Sequence, residues 1–245
     1  MFRLQFTRYL KSKFTYFILI LMLVITEINN AAFGILHFEN IFARAGDFYI
    51  MFWYATASFF GIFFCGNLVK DIQTNYLSYV VTRMPFRAYL KSTLLAQVAY
   101  VATIAGGFLV SILLFRVIAG GGSNTAAPLP YLVPPIFLVV IFLILTVLLF
   151  ELLSVWIKNP YVLRILPFLY VVGLPAGTFM LGSIHPSLAS AVWAMSFDAS
   201  IDYYLLWLNG CSYGIYVLVF PVVSLLLISA AYGCHIRKYG KDLLI

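Results

Sequence analysis

The amino-acid sequence predicts an all-α integral membrane protein with six transmembrane helices in a single domain, residues 1–245. Composition is the first observation: 64% of the residues are apolar, 18% aromatic and only 9% charged, where a soluble domain carries about a quarter charged residues. The second is spacing. Apolar runs long enough to cross a hydrocarbon core of about 30 Å fall at residues 14–36, 48–69, 92–115, 131–157, 161–181 and 212–235. The third is an asymmetry of charge between alternating connections. Arg3, Arg8, Lys11 and Lys13 precede the first span, and Lys70, Arg83, Arg87 and Lys91 join the second to the third. Lys158 and Arg164 flank the turn between the fourth and fifth, and Arg237, Lys238 and Lys241 end the chain. The opposite face keeps only Arg44 and Arg116 of the fifteen basic residues. Cationic connections are retained in the cytoplasm, so both termini are expected inside, in a multi-pass protein of a bacterial cell membrane. The net charge of +7 is then a topology signal directed at membrane lipid, and no nucleic acid partner is expected.

Residues 1–13 and Phe14 place Phe2, Phe6, Tyr9, Leu10 and Phe14 at helical spacing, with the basic residues largely off that stripe. This is the pattern of an amphipathic helix lying on the inner leaflet. No small-residue cleavage site followed by a soluble domain occurs, so the first apolar run is expected to stay as a span. Within it Glu27 lies roughly 20 Å from the inner end at 1.5 Å per residue, and Asn30 follows on the same face. A carboxylate at that depth is costly in lipid. Either the face turns to protein or water, which makes Glu27 and Asn30 part of a substrate pathway, or the helix ends early and leaves Glu27 among the outer headgroups.

The connection 70–91 is too long for a simple turn. Tyr76, Tyr79, Val80 and Arg83 share one helical face and Pro85 then breaks the helix, so a short amphipathic helix is expected at the cytoplasmic surface. In the fourth span Glu151 lies near the inner end, where Arg164 or Lys158 could pair with it. In the fifth, Gly173 and Gly177 are spaced for close helix contact while Pro167 and Pro175 loosen the backbone, the pattern of a dimer face or of a kink. Residues 183–211 mix Trp193, Tyr203, Tyr204 and Trp207 with apolar residues, which predicts short helices at the outer interface.

Signals for chemistry are absent from the sequence. Cys65, Cys211 and Cys234 have no CxxC spacing and read as small packing residues. No Lys-Ser or Lys-Thr follows Gly120, Gly121 and Gly122, so they are no phosphate cradle. His37, His185 and His235 fall at helix ends or in loops, with no HExxH motif. No catalytic residue, metal site or nucleotide site is expected in this chain.

The segment carrying Asp71, Asn75, Thr82, Arg83, Pro85, Arg87, Tyr89 and Lys91 resembles the cytoplasmic segment of permease subunits of type-two ABC exporters. There an acidic residue, a small turn residue and an apolar helix ending near Thr-Arg or Thr-x-Pro are followed by a basic residue, Tyr-Leu and Lys. Asn75 stands where many relatives have glycine, and asparagine also enters the left-handed turn. The amphipathic first helix, the six spans and the aromatic outer segment extend the likeness over most of the chain in architecture. The resemblance implies that this segment docks in a cleft of a separate ABC ATPase subunit, two copies of which bind ATP and Mg. It assigns ATPase coupling to Asp71, Asn75, Tyr76, Tyr79, Arg83, Pro85 and Arg87. It also implies a second permease copy or paralogue, and export of a peptide, drug or lipid-like substrate. An ATPase-independent secondary transporter or channel-like protein is the alternative. It predicts inverted repeats or several charges at midplane; no three-plus-three repeat is visible, and only Glu27 approaches that depth.

Overall fold

Long runs of apolar residues with few turn signals leave the backbone one way to satisfy its own polar groups without water, the α-helix. The computed structural model describes residues 1–33, 48–108, 110, 129–194, 196, 199 and 218–242. Helix makes up 87% of it, and no strand occurs among the described residues. In chain order the helices are α1 (Phe2–Leu10), α2 (Lys13–Phe33), α3 (Phe48–Phe64), α4 (Asn67–Gln73), α5 (Tyr76–Val81) and α6 (Phe86–Val101). A π-helical turn, Ala102–Gly106, continues α6. There follow α7 (Leu129–Leu152), α8 (Pro160–Gly182), α9 (Pro186–Trp193) and α10 (Val219–Asp242).

Among the described residues three helices are long and apolar enough to cross a membrane: Phe137–Val155 within α7 and its 3-10 end, Pro160–Gly182, and Val219–Tyr239 within α10. They coincide with the fourth, fifth and sixth expected spans. The first three expected spans carry α2, α3 and α6, and residues 34–47 and 111–128, which join or end them, lie outside the described residues. The segment 183–211 carries α9, while residues 200–211 with Tyr203, Tyr204 and Trp207 lie outside the described residues as well.

The core forms where α2, α3, α6 and α7 meet. Ile18, Met22, Phe60, Phe64, Tyr100, Phe142 and Leu143 are all fully buried there. Phe60 and Phe64 stack at 6.4 Å and 8°, and both meet Tyr100 edge-on, with Phe64 and Tyr100 centroids 5.2 Å apart at 73°. Lipid tails are as apolar as these side chains, so close packing rather than escape from solvent selects this arrangement. Phe179 (87% exposed), Met180 (71%) and Leu226 (66%) on α8 and α10 would form an unfavourable surface in water. In hydrocarbon they cost nothing.

Two sequence expectations change here. The apolar stripe of α1 is turned toward protein: Phe6, Tyr9, Leu10 and Phe14 pack on the core. Tyr9 meets Phe63, Phe64 and Tyr100 edge-on. The reason is a hydrogen-bonded joint that folds α1 back. The Thr15 hydroxyl donates to the Tyr9 carbonyl at 2.7 Å and accepts from the Tyr100 hydroxyl at 2.7 Å, and Gln5 Nε2 donates to Thr93 Oγ1 at 2.9 Å. Second, α2 runs unbroken to Phe33, so Glu27 and Asn30 both lie on helix and the helix does not end early. Their side chains lie outside the described residues, and with them the pathway expectation.

The glycines of α8 and α3 differ sharply. A Cβ at Gly173 or Gly177 meets nothing within 4 Å, whereas one at Gly61 would lie 2.4 Å from Cγ of Pro167. The small residue that matters for helix approach is therefore on α3, opposite a ring that cannot swing away. Gly61→Ala is expected to destabilise the fold by about 1–3 kcal/mol through overpacking, and Gly173→Ala to leave it within about 0.5 kcal/mol. Thermal unfolding in detergent reads both; an unchanged midpoint for Gly61→Ala would contradict the α3–α8 contact.

Candidate functional site

The site is the elbow between α3 and α6, and it starts at a glycine. Gly66 turns the chain at φ 84°, and a Cβ there would lie 2.7 Å from the Pro160 carbonyl oxygen. Only glycine meets both conditions at no cost. The turn presents the first amides of α4, which have no partner within their own helix. Glu151 at the end of α7 supplies the acceptor. Its side chain is 1% exposed, with Oε2 2.7 Å from the Gly66 amide and Oε1 2.8 Å from that of Leu68. Carboxylate and helix N-terminus satisfy each other's hydrogen bonds and opposite charge.

This corrects the expected ion pair of Glu151 with Arg164 or Lys158. Arg164 Nε donates to the Cys65 carbonyl at 3.3 Å. Lys158 Nζ donates to the Ser154 carbonyl at 3.2 Å and to the Tyr239 hydroxyl. An ion pair would have required removing two charges from water, whereas the amides at the start of α4 needed an acceptor in any case.

Beyond α4, Asn75 adopts φ 56° and ψ 10°, the left-handed turn expected of it, and α5 follows. Pro85, with ψ 141°, ends the segment and opens α6. One side of α5 is inward: Leu77 and Val80 are buried with Leu68, Phe86, Tyr89 and Leu90. Val80 therefore does not share the outer face with Tyr76, Tyr79 and Arg83. The helix is only six residues long, and burial of Leu77 fixes its rotation so that Val80, three residues on, follows it inward. Asn75, Tyr76, Tyr79, Arg83, Pro85 and Arg87 are exposed. Tyr79 is 59% exposed, and the Arg83 guanidinium lies 4.6 Å from its ring centroid and donates to its hydroxyl at 2.6 Å. The two form one rigid amphipathic knob.

Asp71 is different from its neighbours in the motif. It is partly buried and accepts a hydrogen bond from the Tyr89 hydroxyl of α6. Burial raises its carboxyl above the ordinary aspartate value, opposed by the Tyr89 hydrogen bond and the Arg8 charge. Its role in the fold is to tie α4 to α6 behind the exposed face.

A second joint binds α7 to α10. His235 Nε2 lies 2.9 Å from the Leu152 carbonyl and 3.1 Å from Ser154 Oγ. A carbonyl can only accept, so Nε2 carries the proton and has no lone pair with which to activate Ser154. The pair is a structural clasp and not a nucleophile with its base.

Sequence reasoning missed a cavity of about 770 Å³ between α1, the end of α3, α4, α5 and the first turns of α8. Arg8, Lys70 and Arg164 line it with Asp71, and Phe14 and Ile62 form part of its apolar wall. Those cations come from three separate segments, and nothing in their spacing says that they converge.

The fold and the elbow together define an all-helical protein whose apolar helices place it among membrane proteins. No family model, curated protein or solved structure matches the chain.

Glu151→Gln keeps the shape of the side chain but leaves one oxygen for two amides. It is expected to cost about 1–3 kcal/mol and to open residues 65–91 to proteolysis before the rest of the chain. Cleavage as slow as in the parent protein would show that the α7–α4 joint contributes nothing.

Proposed function

We propose that this chain is the permease subunit of an ABC exporter, with six transmembrane helices, both termini in the cytoplasm, and α5 as its coupling helix. The observation that carries the reading is an outward, aromatic and basic face of Tyr76, Tyr79 and Arg83 on a short helix that is braced from behind. Leu77 and Val80 anchor α5, Asp71 and Tyr89 tie α4 to α6, and Glu151 fastens α4 to α7. Large exposed aromatics on a rigid mount suit docking into a cleft of another protein. The resemblance noted in the sequence names the partner class: two ATPase subunits holding ATP and Mg, beneath two permease copies or paralogues.

Coupling on this reading is mechanical. Closure of the ATPase dimer pushes on α5, and the push reaches α7 through the Glu151 carboxylate and α6 through Asp71 and Tyr89. The permease halves then rock between inward-facing and outward-facing arrangements. The sparse charge of the spans suits an amphipathic or hydrophobic substrate, a peptide, drug or lipid, leaving the cytoplasm.

The topology is tested with single cysteines in a cysteine-free background. A cysteine at Ser187, in α9, is expected to label from outside in sealed right-side-out vesicles, and one at Ser78, in α5, is not. Labelling of position 78 would invert or abolish the arrangement.

The reading requires an ABC ATPase among the neighbouring reading frames; the partner is tested by its copurification with this chain, alongside ATP-driven export, at matched membrane abundance. Tyr76→Ala and Tyr79→Ala are each expected to weaken assembly by about 1–3 kcal/mol, and Arg83→Ala to weaken it more as salt is lowered, where the lost charge matters most. Intact assembly and export in all three variants would remove α5 from the coupling role.

A further inference from the structure

The cavity beside α5 shares Asp71 and Tyr76 with the coupling segment, but its three cations are not used by the coupling reading, and its lining has a definite chemistry. Arg8 comes from α1, Lys70 from α4 and Arg164 from α8, so three cations from three helices face one volume of about 770 Å³. The side chains of Arg8 and Lys70 have no hydrogen-bond partner among the described residues. Arg164 uses its Nε on the Cys65 carbonyl, which leaves its terminal nitrogens directed elsewhere. The one acid in the lining, Asp71, is already engaged by Tyr89. Three cations against one hydrogen-bonded carboxylate make the cavity electropositive. Its other wall is apolar: Phe14 stacks on Phe63 at 4.8 Å between centroids, and Ile62 is 40% exposed beside them.

Position decides which anion fits. Arg164 lies in the first turns of α8, a helix long and apolar enough to span. The cavity is therefore at the level where hydrocarbon gives way to headgroups. An occupant there meets cations at one end and apolar rings at the other. We infer that the cavity holds an anionic phospholipid, its phosphate between Arg8, Lys70 and Arg164 and its acyl chain along Phe14, Ile62 and Phe63. The site stands on the membrane class of the chain and not on the exporter reading, since no ATPase takes part in it.

A bound lipid would also join α1 to α4. Apart from shared apolar contact, α1 is fastened to α2 and α6 by Thr15 and Gln5, and Arg8 of α1 and Lys70 of α4 line the same cavity. A phosphate between them would attract both.

The experiment is native mass spectrometry of the full chain in a non-ionic detergent with phosphatidylglycerol, phosphatidylcholine or glycerol 3-phosphate added. Phosphatidylglycerol is expected to be retained at one copy per chain, and phosphatidylcholine to be lost. R8Q and K70Q are each expected to reduce retention about fivefold, from the attraction of one cation for an anionic headgroup. K91Q, an equal charge change on the exposed face of α6, is expected to leave it unchanged. R164Q also removes the hydrogen bond to Cys65, so R164K serves beside it and is expected to keep most of the lipid. Equal losses in K91Q and R8Q would reduce the effect to general surface charge and overturn the site. Equal retention of phosphatidylcholine would do the same. Displacement of the lipid by glycerol 3-phosphate at equal concentration would assign the cations to a soluble phosphate and overturn the lipid. ATPase copurification with R8Q reads separately on the exporter reading, which is untouched by any of these results.

Discussion

The carboxyl group of Glu151 is the constraint around which the α3–α6 elbow of this protein is arranged. Among the described residues it is the one fully buried Asp, Glu, Lys or Arg side chain, and it reaches across 85 residues of sequence to the Gly66 amide. A charge so placed in a membrane protein persists only if its lone pairs are filled. The start of α4 fills them, and that fixes where the chain must turn after α3. The turn in turn requires glycine at 66, close under the Pro160 carbonyl. The Cys65 carbonyl released by the same turn is met by Arg164. One buried acid thus gathers the ends of α3, α4, α7 and α8.

From this joint the elbow acquires two unlike faces. Inward, Leu68, Leu77, Val80, Phe86, Tyr89 and Leu90 close a small apolar cluster, with the Asp71–Tyr89 hydrogen bond at its edge. Outward, Tyr76, Tyr79 and Arg83 remain uncovered. A six-residue helix has too little hydrogen bonding of its own to be stable in isolation. Its rigidity comes from the buried side and from the left-handed Asn75 and Pro85 at its ends, which set where it begins and stops. On the proposed reading, a surface mounted in this way would transmit a push to α6 and α7 instead of yielding to it.

The solvent of the remaining helices explains their different surfaces. Most of the Phe137–Val155 span is buried inside the protein, whereas only 17% and 22% of the spans of α8 and α10 are. In water that difference would mark α8 and α10 as defects. In a bilayer it sorts a central helix from peripheral ones, because exposed leucine and phenylalanine are matched by lipid on one side as well as by protein on the other. The distinction between Gly61 and the pair Gly173 and Gly177 belongs to the same physics. Small residues matter where two helices touch within the chain, and the sequence spacing of Gly173 and Gly177 alone does not say whether anything touches them.

Local signals determined a good part of this protein from sequence alone. Continuous apolar runs have no alternative to helix away from water, so the helices and three membrane-length spans were legible, as was the break at Pro85, a property of that residue's own ring, while Asn75 was legible only as a residue that permits the left-handed turn. The amphipathic pattern of residues 2–14 was legible as a helix, but not the medium its stripe faces, because protein and lipid are equally apolar and only the Thr15 joint decides between them. The same ambiguity concealed that Val80 turns inward with Leu77. Tertiary structure alone chose the partner of Glu151: Arg164, Lys158 and the amides of Gly66 and Leu68 are all chemically suitable, and which lies within 3 Å depends on how α3 and α7 cross. It alone assembled Arg8, Lys70 and Arg164 around one cavity, since attraction and repulsion between charges depend on distance through space, which the separations of residues 8, 70 and 164 along the chain do not encode.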